Sequence, residues 1–392
     1  MTAPGIVIVG AGQAGLQAAT SLREGGCADA ITLLGDEAGL PYGRPPLSKA
    51  FLKGVDETEA LHLRSQSFLD RNAICLRAGA QAAAIDRAGH RLCLASGEAV
   101  PYETLILATG ARNRPLAVPG AGLDRVFSLR GVADALALRA ALTGSRRIVV
   151  VGGGFLGLEV ASAGASLGAA VTVVESAGRL MARAVSPPIS DFFLRRHMDA
   201  GVTVLLNEGV TALAGPGRVT GVRLRSGDTL AADLVLVAVG VLPNVELAHA
   251  AGLAAADGIV VDGAMRTADP AIYAIGDCAL HPNRHAGGLI RLESVQNAMD
   301  QARCAAANIL GHRALYSAIP WFWSEQAGAR LQIAGLRGAA DTFEIVGDAE
   351  AFSVYGSHAG RVVCVESVNR PADHAQARRR FAAEQALLSS AA

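Results

Sequence analysis

Gly5-Ile6-Val7-Ile8-Val9-Gly10-Ala11-Gly12-Gln13-Ala14-Gly15 is the segment that sets the architecture of this 392-residue chain. Ile6 to Val9 is an unbroken run of β-branched residues, the pattern of a strand buried on both faces. It opens into glycines at 10, 12 and 15, and Leu16 to Arg23 continues with helix-compatible residues. A second apolar run, Ile31 to Leu34, leads to Asp36 and Glu37, 21 and 22 residues beyond Gly15. Strand, glycine turn, helix and strand in that order make a dinucleotide fingerprint. Gly10 permits the turn, Gly12 lets a pyrophosphate approach the backbone, and Gly15 lets helix and strand pack closely. Free N–H groups at the helix start attract the phosphates. An acidic residue after the second strand, Asp36 or Glu37, is expected to accept hydrogen bonds from a ribose diol.

The pattern returns 142 residues later, where Ile148-Val149-Val150-Val151 opens into Gly152-Gly153-Gly154-Phe155-Leu156-Gly157. Val171 to Val174 then ends in Glu175, 18 residues past Gly157. Leu105 to Gly110 and Leu234 to Gly240 are further buried-type strands ending in glycine, one completing each unit. A lone G-x-G-x-x-G carries little weight, but two copies in full context are a strong signal. The expectation is an α/β fold with two Rossmann-like dinucleotide-binding domains and a small α/β C-terminal domain. Residues 1–112 and 245–319 are assigned to the first domain, 113–244 to the second and 320–392 to the third. Two dinucleotides in one chain suggest a tightly held flavin and an exchangeable nicotinamide, which favours electron transfer over simple binding.

Composition narrows the function further. Hydrophobic residues make up 51% and charged residues 18%, and 35 basic side chains offset 35 acidic ones. No overall field exists to hold nucleic acid or an anionic membrane, so neither is expected as a partner. The six cysteines lie at least 18 residues apart, which excludes a dithiol redox motif and a local zinc site. They read as small buried hydrophobes, and no metal site is expected. The N-terminus has no basic region before its first strand, and no segment reaches the ~18 apolar residues of a membrane span. A reducing, cytoplasmic setting is the expectation.

Further strings carry a family resemblance. Leu40-Pro41-Tyr42-Gly43-Arg44-Pro45-Pro46-Leu47-Ser48-Lys49, Tyr273-Ala274-Ile275-Gly276-Asp277-Cys278, Pro320-Trp321-Phe322-Trp323-Ser324 and Asn369-Arg370-Pro371 join the two fingerprints. Together they resemble the two-dinucleotide, glutathione-reductase-like flavoproteins, and among them the FAD-dependent NADH:ferredoxin reductases of oxygenase systems. The resemblance covers essentially the whole chain. It implies FAD in the first module, touched by Gly10, Gly12, Ala14, Gly15, Asp36, Arg44, Lys49, Ala82, Arg130, Asp277, Val295 and Trp323. It implies NADH in the second, touched by Gly152, Gly154, Phe155, Leu156, Gly157, Glu175 and Gly240, with Glu293 on the nicotinamide side. Lys49 and Glu159 match positions that form a lysine–glutamate pair beside the flavin N5. A buried cation there would stabilise negative charge on the reduced ring.

Glu175 bears on cofactor choice, because a carboxylate accepts ribose hydroxyls but repels a 2′-phosphate. One like-charge pair at ~4 Å costs about 1–4 kcal/mol between water-like and surface dielectric. NADH is therefore the expected donor, although Arg179 and Arg183 follow closely and could soften the repulsion. The implied acceptor is a small [2Fe–2S] ferredoxin feeding a cytochrome P450 or a ring-hydroxylating oxygenase. Arg64, Arg71, Arg77, Arg313 and Arg378 to Arg380 are candidates for a basic docking patch. Alternatives are a rubredoxin reductase, a disulfide, peroxide or oxygen reductase of the same fold, and an NADH-sensing interaction protein resembling apoptosis-inducing factor. A cysteine near the flavin would favour the disulfide or peroxide reductase, yet 35–49 contains none.

Overall fold

The computed structural model describes residues 4–338 and 340–390. The chain divides into two compact units. The first runs through Gly43, resumes over His62–Arg112 and again over Leu242–Phe322. The second takes Arg44–Leu61, Asn113–Val241 and the chain from Trp323.

In the first unit the parallel strands Ile74–Arg77, Ile31–Leu34, Gly5–Val9, Ala99–Leu107 and Ile272–Ala274 lie side by side in that order. The early half of Ala99–Leu107 also pairs antiparallel with Arg91–Leu94, which pairs with Ala82–Asp86. Ile8, Leu22, Leu33 and Ile106 are fully buried between the sheet and its helices. Each such side chain contributes roughly 1.5–3 kcal/mol by leaving water. The helices Gln13–Glu24 and Val295–Ile309 pack on each other through small residues, among them Ala18, Ala302 and Ala305.

The second unit repeats the plan. Thr203–Leu205, Ala170–Val174, Arg147–Val151, Leu234–Val237 and Val126–Phe127 form one parallel sheet in that order. Both sheets place the fingerprint strand third and break direction beside it, the topological switch at which α/β sheets bind ligands.

The chain beyond Pro320 is built mostly of strands. Trp321–Gln326, Ala329–Gly335, Arg361–Val368, Phe352–His358 and Thr342–Gly347 make an antiparallel sheet in that order. The Trp-Phe-Trp cluster is thus the start of an edge strand. The helix Pro371–Ser390 packs on this sheet.

Candidate functional site: two dinucleotide cradles and a buried ion pair

Gly10 and Gly152 turn the chain off the fingerprint strands at φ +113° and +110°, a backbone that only glycine adopts without strain. Their N–H groups donate to Leu34 and Val174 carbonyls at 2.8 Å in both cases, so the two turns superpose bond for bond. Gly12 and Gly154 cap the helices Gln13–Glu24 and Phe155–Ser166, and a Cβ added to either would meet open space. That space lies over unpaired N–H groups at a helix start, the setting a pyrophosphate requires. A Cβ at Gly15 or Gly157 would instead collide with the carbonyl oxygen of Gly10 or Gly152. The residues present therefore fit a dinucleotide in each module.

Around the first cradle, the structure gathers residues that are distant in sequence. The turn Gly276–Cys278 follows the strand Ile272–Ala274 and carries Asp277. Gly276 sits against Ala14, where a Cβ would come within 3.0 Å of the alanine methyl. Gln301 accepts the Gly276 N–H at 2.7 Å and fixes that turn. Val295 begins its helix behind the cap of Ser294, which accepts from Asn297 N–H at 3.1 Å. Asp36 is exposed, whereas its neighbour Glu37 accepts a 2.5 Å hydrogen bond from Tyr42. Ala82 opens the strand Ala82–Asp86. Glu293 is held by Arg291 at 2.6 Å, and Arg291 also donates to the Asp277 carbonyl.

The second cradle carries its acidic residue differently. Glu175 accepts the Gly153 N–H and the Ala177 N–H, both at 2.7 Å, so its carboxylate is latched onto the fingerprint loop. Phe155 and Leu156 open the helix, and Gly240, at φ +104°, lies in the turn between the strands Leu234–Val237 and Val241–Pro243. Arg183 and Arg114 nitrogens lie 3.7 and 4.0 Å from where a Gly240 Cβ would be. Arg179 does not soften the charge of Glu175. Its guanidinium turns inward to the carbonyls of Val185 and Ala182 and to Ser190 Oγ, at 2.6–2.8 Å.

Lys49 and Glu159 meet, although 110 residues separate them. Lys49 Nζ lies 2.8 Å from Glu159 Oε2 and donates to the Pro45 carbonyl at 3.1 Å. Pro45 and Pro46 start the short 3-10 turn Pro45–Ser48 that presents the lysine. Glu159, only 7% exposed, also accepts from Ser48 Oγ at 2.5 Å and from Ser324 Oγ at 2.6 Å. Arg44 donates to the Arg130 carbonyl at 2.7 Å, and Arg130 N–H donates to Asp134 at 2.8 Å. Trp323 directly precedes Ser324 on its strand. Ser48 and Ser324 were not singled out by sequence, though each lies within a quoted string, before Lys49 in one and after Trp-Phe-Trp in the other.

All six cysteines are free thiols, but only Cys278, Cys304 and Cys364 are buried. Cys75 is exposed and Cys27 and Cys93 half-buried, against the expectation for all six, because each sits at or near the rim of the first sheet. Burial pushes the Cys304 and Cys364 thiols up, to about 11 and about 12, away from the thiolate a reactive cysteine needs. Of the basic-patch candidates, Arg77 is bridged by Glu98 and Arg380 by Glu384.

Comparison with known proteins agrees with this construction. The pyridine nucleotide-disulphide oxidoreductase family matches residues 4–302, and a reductase C-terminal family matches residues 321–392. Rhodocoxin reductase of Rhodococcus erythropolis is 49% identical over 385 residues, 97% of this chain and 90% of that protein. The ferredoxin reductase for the CYP199A2 system from Rhodopseudomonas palustris superposes with a TM-score of 0.93 at 47% identity, covering 95% of this chain and 93% of the other. The covalent putidaredoxin reductase–putidaredoxin complex also gives 0.93, at 38% identity, covering 97% and 93%.

Proposed function

The chain belongs to the pyridine nucleotide-disulphide oxidoreductase family, and from that premise we propose that it carries electrons from NADH through FAD to a small [2Fe–2S] ferredoxin serving a cytochrome P450 or ring-hydroxylating oxygenase. The observation that carries this reading is the presence of two dinucleotide cradles in one chain, each with open space over its middle glycine. The match to ferredoxin reductases of oxygenase systems selects the acceptor class. Residues 1–112 and 245–319 hold FAD, 113–244 hold NADH, and 320–392 form the third domain. No helix among the described residues is long and apolar enough to cross a membrane. The reading places the protein in the cytoplasm, where free thiols persist.

Bound FAD supplies acceptance of a two-electron hydride and release of electrons singly, which matches a nicotinamide donor to a one-electron carrier. The chain's own residues bind, orient and adjust charge. Gly10, Gly12, Ala14 and Gly15 offer backbone to the FAD pyrophosphate, with Asp36 at the adenosine ribose. Arg44, Lys49, Ala82, Arg130, Asp277, Val295 and Trp323 complete that contact set. Gly152, Gly154, Phe155, Leu156, Gly157 and Gly240 do the same for NADH, with Glu293 at the nicotinamide side. Glu175 accepts the adenosine ribose hydroxyls and disfavours a 2′-phosphate. Lys49 Nζ is held 2.8 Å from the Glu159 carboxylate, which fixes the position of a positive charge for flavin reduction.

The test is cytochrome c reduction by the FAD-loaded protein with NADH, with and without a panel of [2Fe–2S] ferredoxins and a rubredoxin. A rate that depends on an added ferredoxin is expected. Turnover only with rubredoxin, or stoichiometric peroxide or disulfide turnover without any ferredoxin effect, overturns the assignment.

A further inference from the structure

Glu159 accepts three donors from two chain segments other than its own. Its Oε2 takes Lys49 Nζ at 2.8 Å and Ser48 Oγ at 2.5 Å, both from the 44–61 segment. Its Oε1 takes Ser324 Oγ at 2.6 Å, from the strand Trp321–Gln326. Ser48 and Ser324 are 3% and 0% exposed, so neither hydroxyl has water as an alternative. Three donors converging on one side chain, one of them a cation, is an arrangement that suits a carboxylate.

The contacts continue behind Ser324 with a fixed direction. Ser324 gives its only hydrogen to Glu159, so it must accept from Gln326 Nε2, which lies 3.3 Å away. Gln326 Nε2 also faces the Met181 sulfur at 3.7 Å, which is an acceptor. The Gln326 oxygen therefore points to His197 Nε2 at 2.9 Å and requires a hydrogen there. Burial pushes the His197 pKa down, so the ring is neutral and its proton sits on Nε2. Its Nδ1 has no partner among the described residues. His197, Gln326 and Ser324 thus donate head to tail toward Glu159, and buried bonds in such a chain polarise one another. The strand is further anchored to the Glu159 helix, because Ser162, one turn along, accepts the Ala327 N–H at 3.0 Å.

We propose that Ser324 and Ser48, with Gln326 and His197 behind Ser324, are positioning residues that hold Glu159 as a carboxylate aimed at Lys49. This rests on the reading of Lys49 and Glu159 as the pair that acts in flavin reduction. It gives the C-terminal segment a part in the redox step, because Ser324 and Gln326 are contributed by it. The charged groups around the pair are few. Lys53, Glu325 and Arg330 line the same 360 Å³ groove as Lys49 and Glu159. Arg330 lies 3.6 Å from Glu325, and His197 is the titratable group on the buried side.

The experiment is anaerobic rapid mixing of the FAD-loaded full chain with NADH, following flavin bleaching across pH. Ser324→Ala is expected to lower the limiting reduction rate about tenfold, the kinetic equivalent of one charge-assisted hydrogen bond. NADH affinity stays unchanged. The acidic limb of the profile moves to higher pH, because a donor to the carboxylate has been removed. Ser48→Ala shifts the profile the same way, Ser324→Thr restores rate and profile, and Gln326→Leu gives a smaller shift in the same direction. Flavin content and melting temperature of each variant identify any that fail to fold. Wild-type rates and profiles in both Ser324→Ala and Ser48→Ala overturn the proposal, as does slowing with an unmoved profile. Glu159→Gln separates the two levels. If it reduces as fast as wild type, the pair's role and this proposal both fall. If it is slow while both serine variants behave as wild type, only this proposal falls.

Discussion

The two nucleotide modules share a strand order and a turn, yet they exchange one pair of residues. In the second, Gly153 lies on the loop and Glu175 follows the second strand, and the carboxylate reaches the Gly153 N–H at 2.7 Å. In the first, Ala11 takes the loop position, and Gly35 is the residue that follows the strand. The register is fixed by matching bonds: Gly35 N–H donates to Arg77 carbonyl as Glu175 N–H donates to Leu205 carbonyl. A Cβ at Gly35 would come within 2.8 Å of the Ala11 methyl, and one at Gly153 within 3.1 Å of Glu175 Oε2. Each module therefore accommodates bulk on one side only. In the proposed function the second module, which would release its nucleotide every turnover, is the one that carries a ribose-reading charge. In the first module that place is closed by the Ala11 methyl group, and the proposed function gives the acidic task to Asp36, one residue further on.

Equal lesions in the two turns give the largest contrast. Gly15→Val and Gly157→Val both drive a side chain into the preceding turn carbonyl. Gly15→Val is expected to yield colourless protein, read by the loss of flavin absorbance after purification. Gly157→Val keeps its flavin but loses about 100-fold or more in kcat/KM for NADH, since about 3 kcal/mol of fit is lost when backbone is forced apart. Flavin loss from both variants to the same degree would mean that the two cradles are not separate sites.

Glu175→Gly gives the second module the residue of the first. Removing a carboxylate that reads a ribose diol lowers NADH efficiency by roughly 10- to 100-fold, within the 1–3 kcal/mol of a charged hydrogen bond. NADPH loses less, because the repulsion leaves with the charge. The ratio of kcat/KM for the two nucleotides measures this, and an unchanged ratio would show that discrimination lies elsewhere. Gly153→Ala crowds the same carboxylate without removing it and is expected to produce a milder loss of NADH efficiency.

How far the sequence could be read follows from the range of each interaction. The fingerprints are local, so the strand, turn, helix and strand of both modules were legible from a few dozen residues. The Gly35–Glu175 exchange was not, because the stretch from the third glycine to the end of the second strand is two residues longer in the first module, 19 against 17. Counting from the third glycine pointed to Asp36 and hid the glycine that stands in register with Glu175. Lys49 and Glu159 were found through resemblance rather than spacing, since nothing in the chain between them signals that they meet. Ser48, Ser324 and Gln326 carry no signal of their own. Their importance arises only when three distant segments bury one carboxylate, and an isolated serine reads the same whether it faces water or Glu159.

The modules also differ in how their crossover helices begin, which leads to smaller effects on stability. Gln66–Arg71 in the first is capped by its own Ser65, whose Oγ accepts the Phe68 N–H. Pro187–Asp199 in the second has no such side-chain cap, and Glu366 from the C-terminal sheet accepts the Ser186 N–H with both oxygens, at 2.9 and 3.1 Å. Burial pushes the Glu366 carboxyl up from 4.5 to about 7. Between those values the folded chain binds more proton than the unfolded one, so stability falls as pH rises through the window. The loss totals about 3 kcal/mol by linkage, and melting temperature should decline from acid to neutral pH. Glu366→Gln keeps an acceptor for Ser186 and removes the titration, so its profile over that window is flatter. A variant with the wild-type slope would assign the pH dependence to other groups.

Ser65→Ala is the counterpart in the first module, and its effect is the smallest. A local cap on an exposed two-turn helix is worth about 1 kcal/mol, and its loss does not depend on pH because a hydroxyl does not titrate. Melting temperature should drop by a few degrees equally at acid and neutral pH, with flavin content and NADH reduction unchanged. The contrast is between a helix whose start is fixed within its own turn and one whose start is fixed by a residue 180 positions away. Only the second links the stability of a nucleotide module to the folding of the C-terminal sheet. If Ser65→Ala acquired a pH-dependent loss as large as that assigned to Glu366, local and remote capping would be equivalent here, and the physical distinction between the modules would reduce to the Gly35–Glu175 exchange.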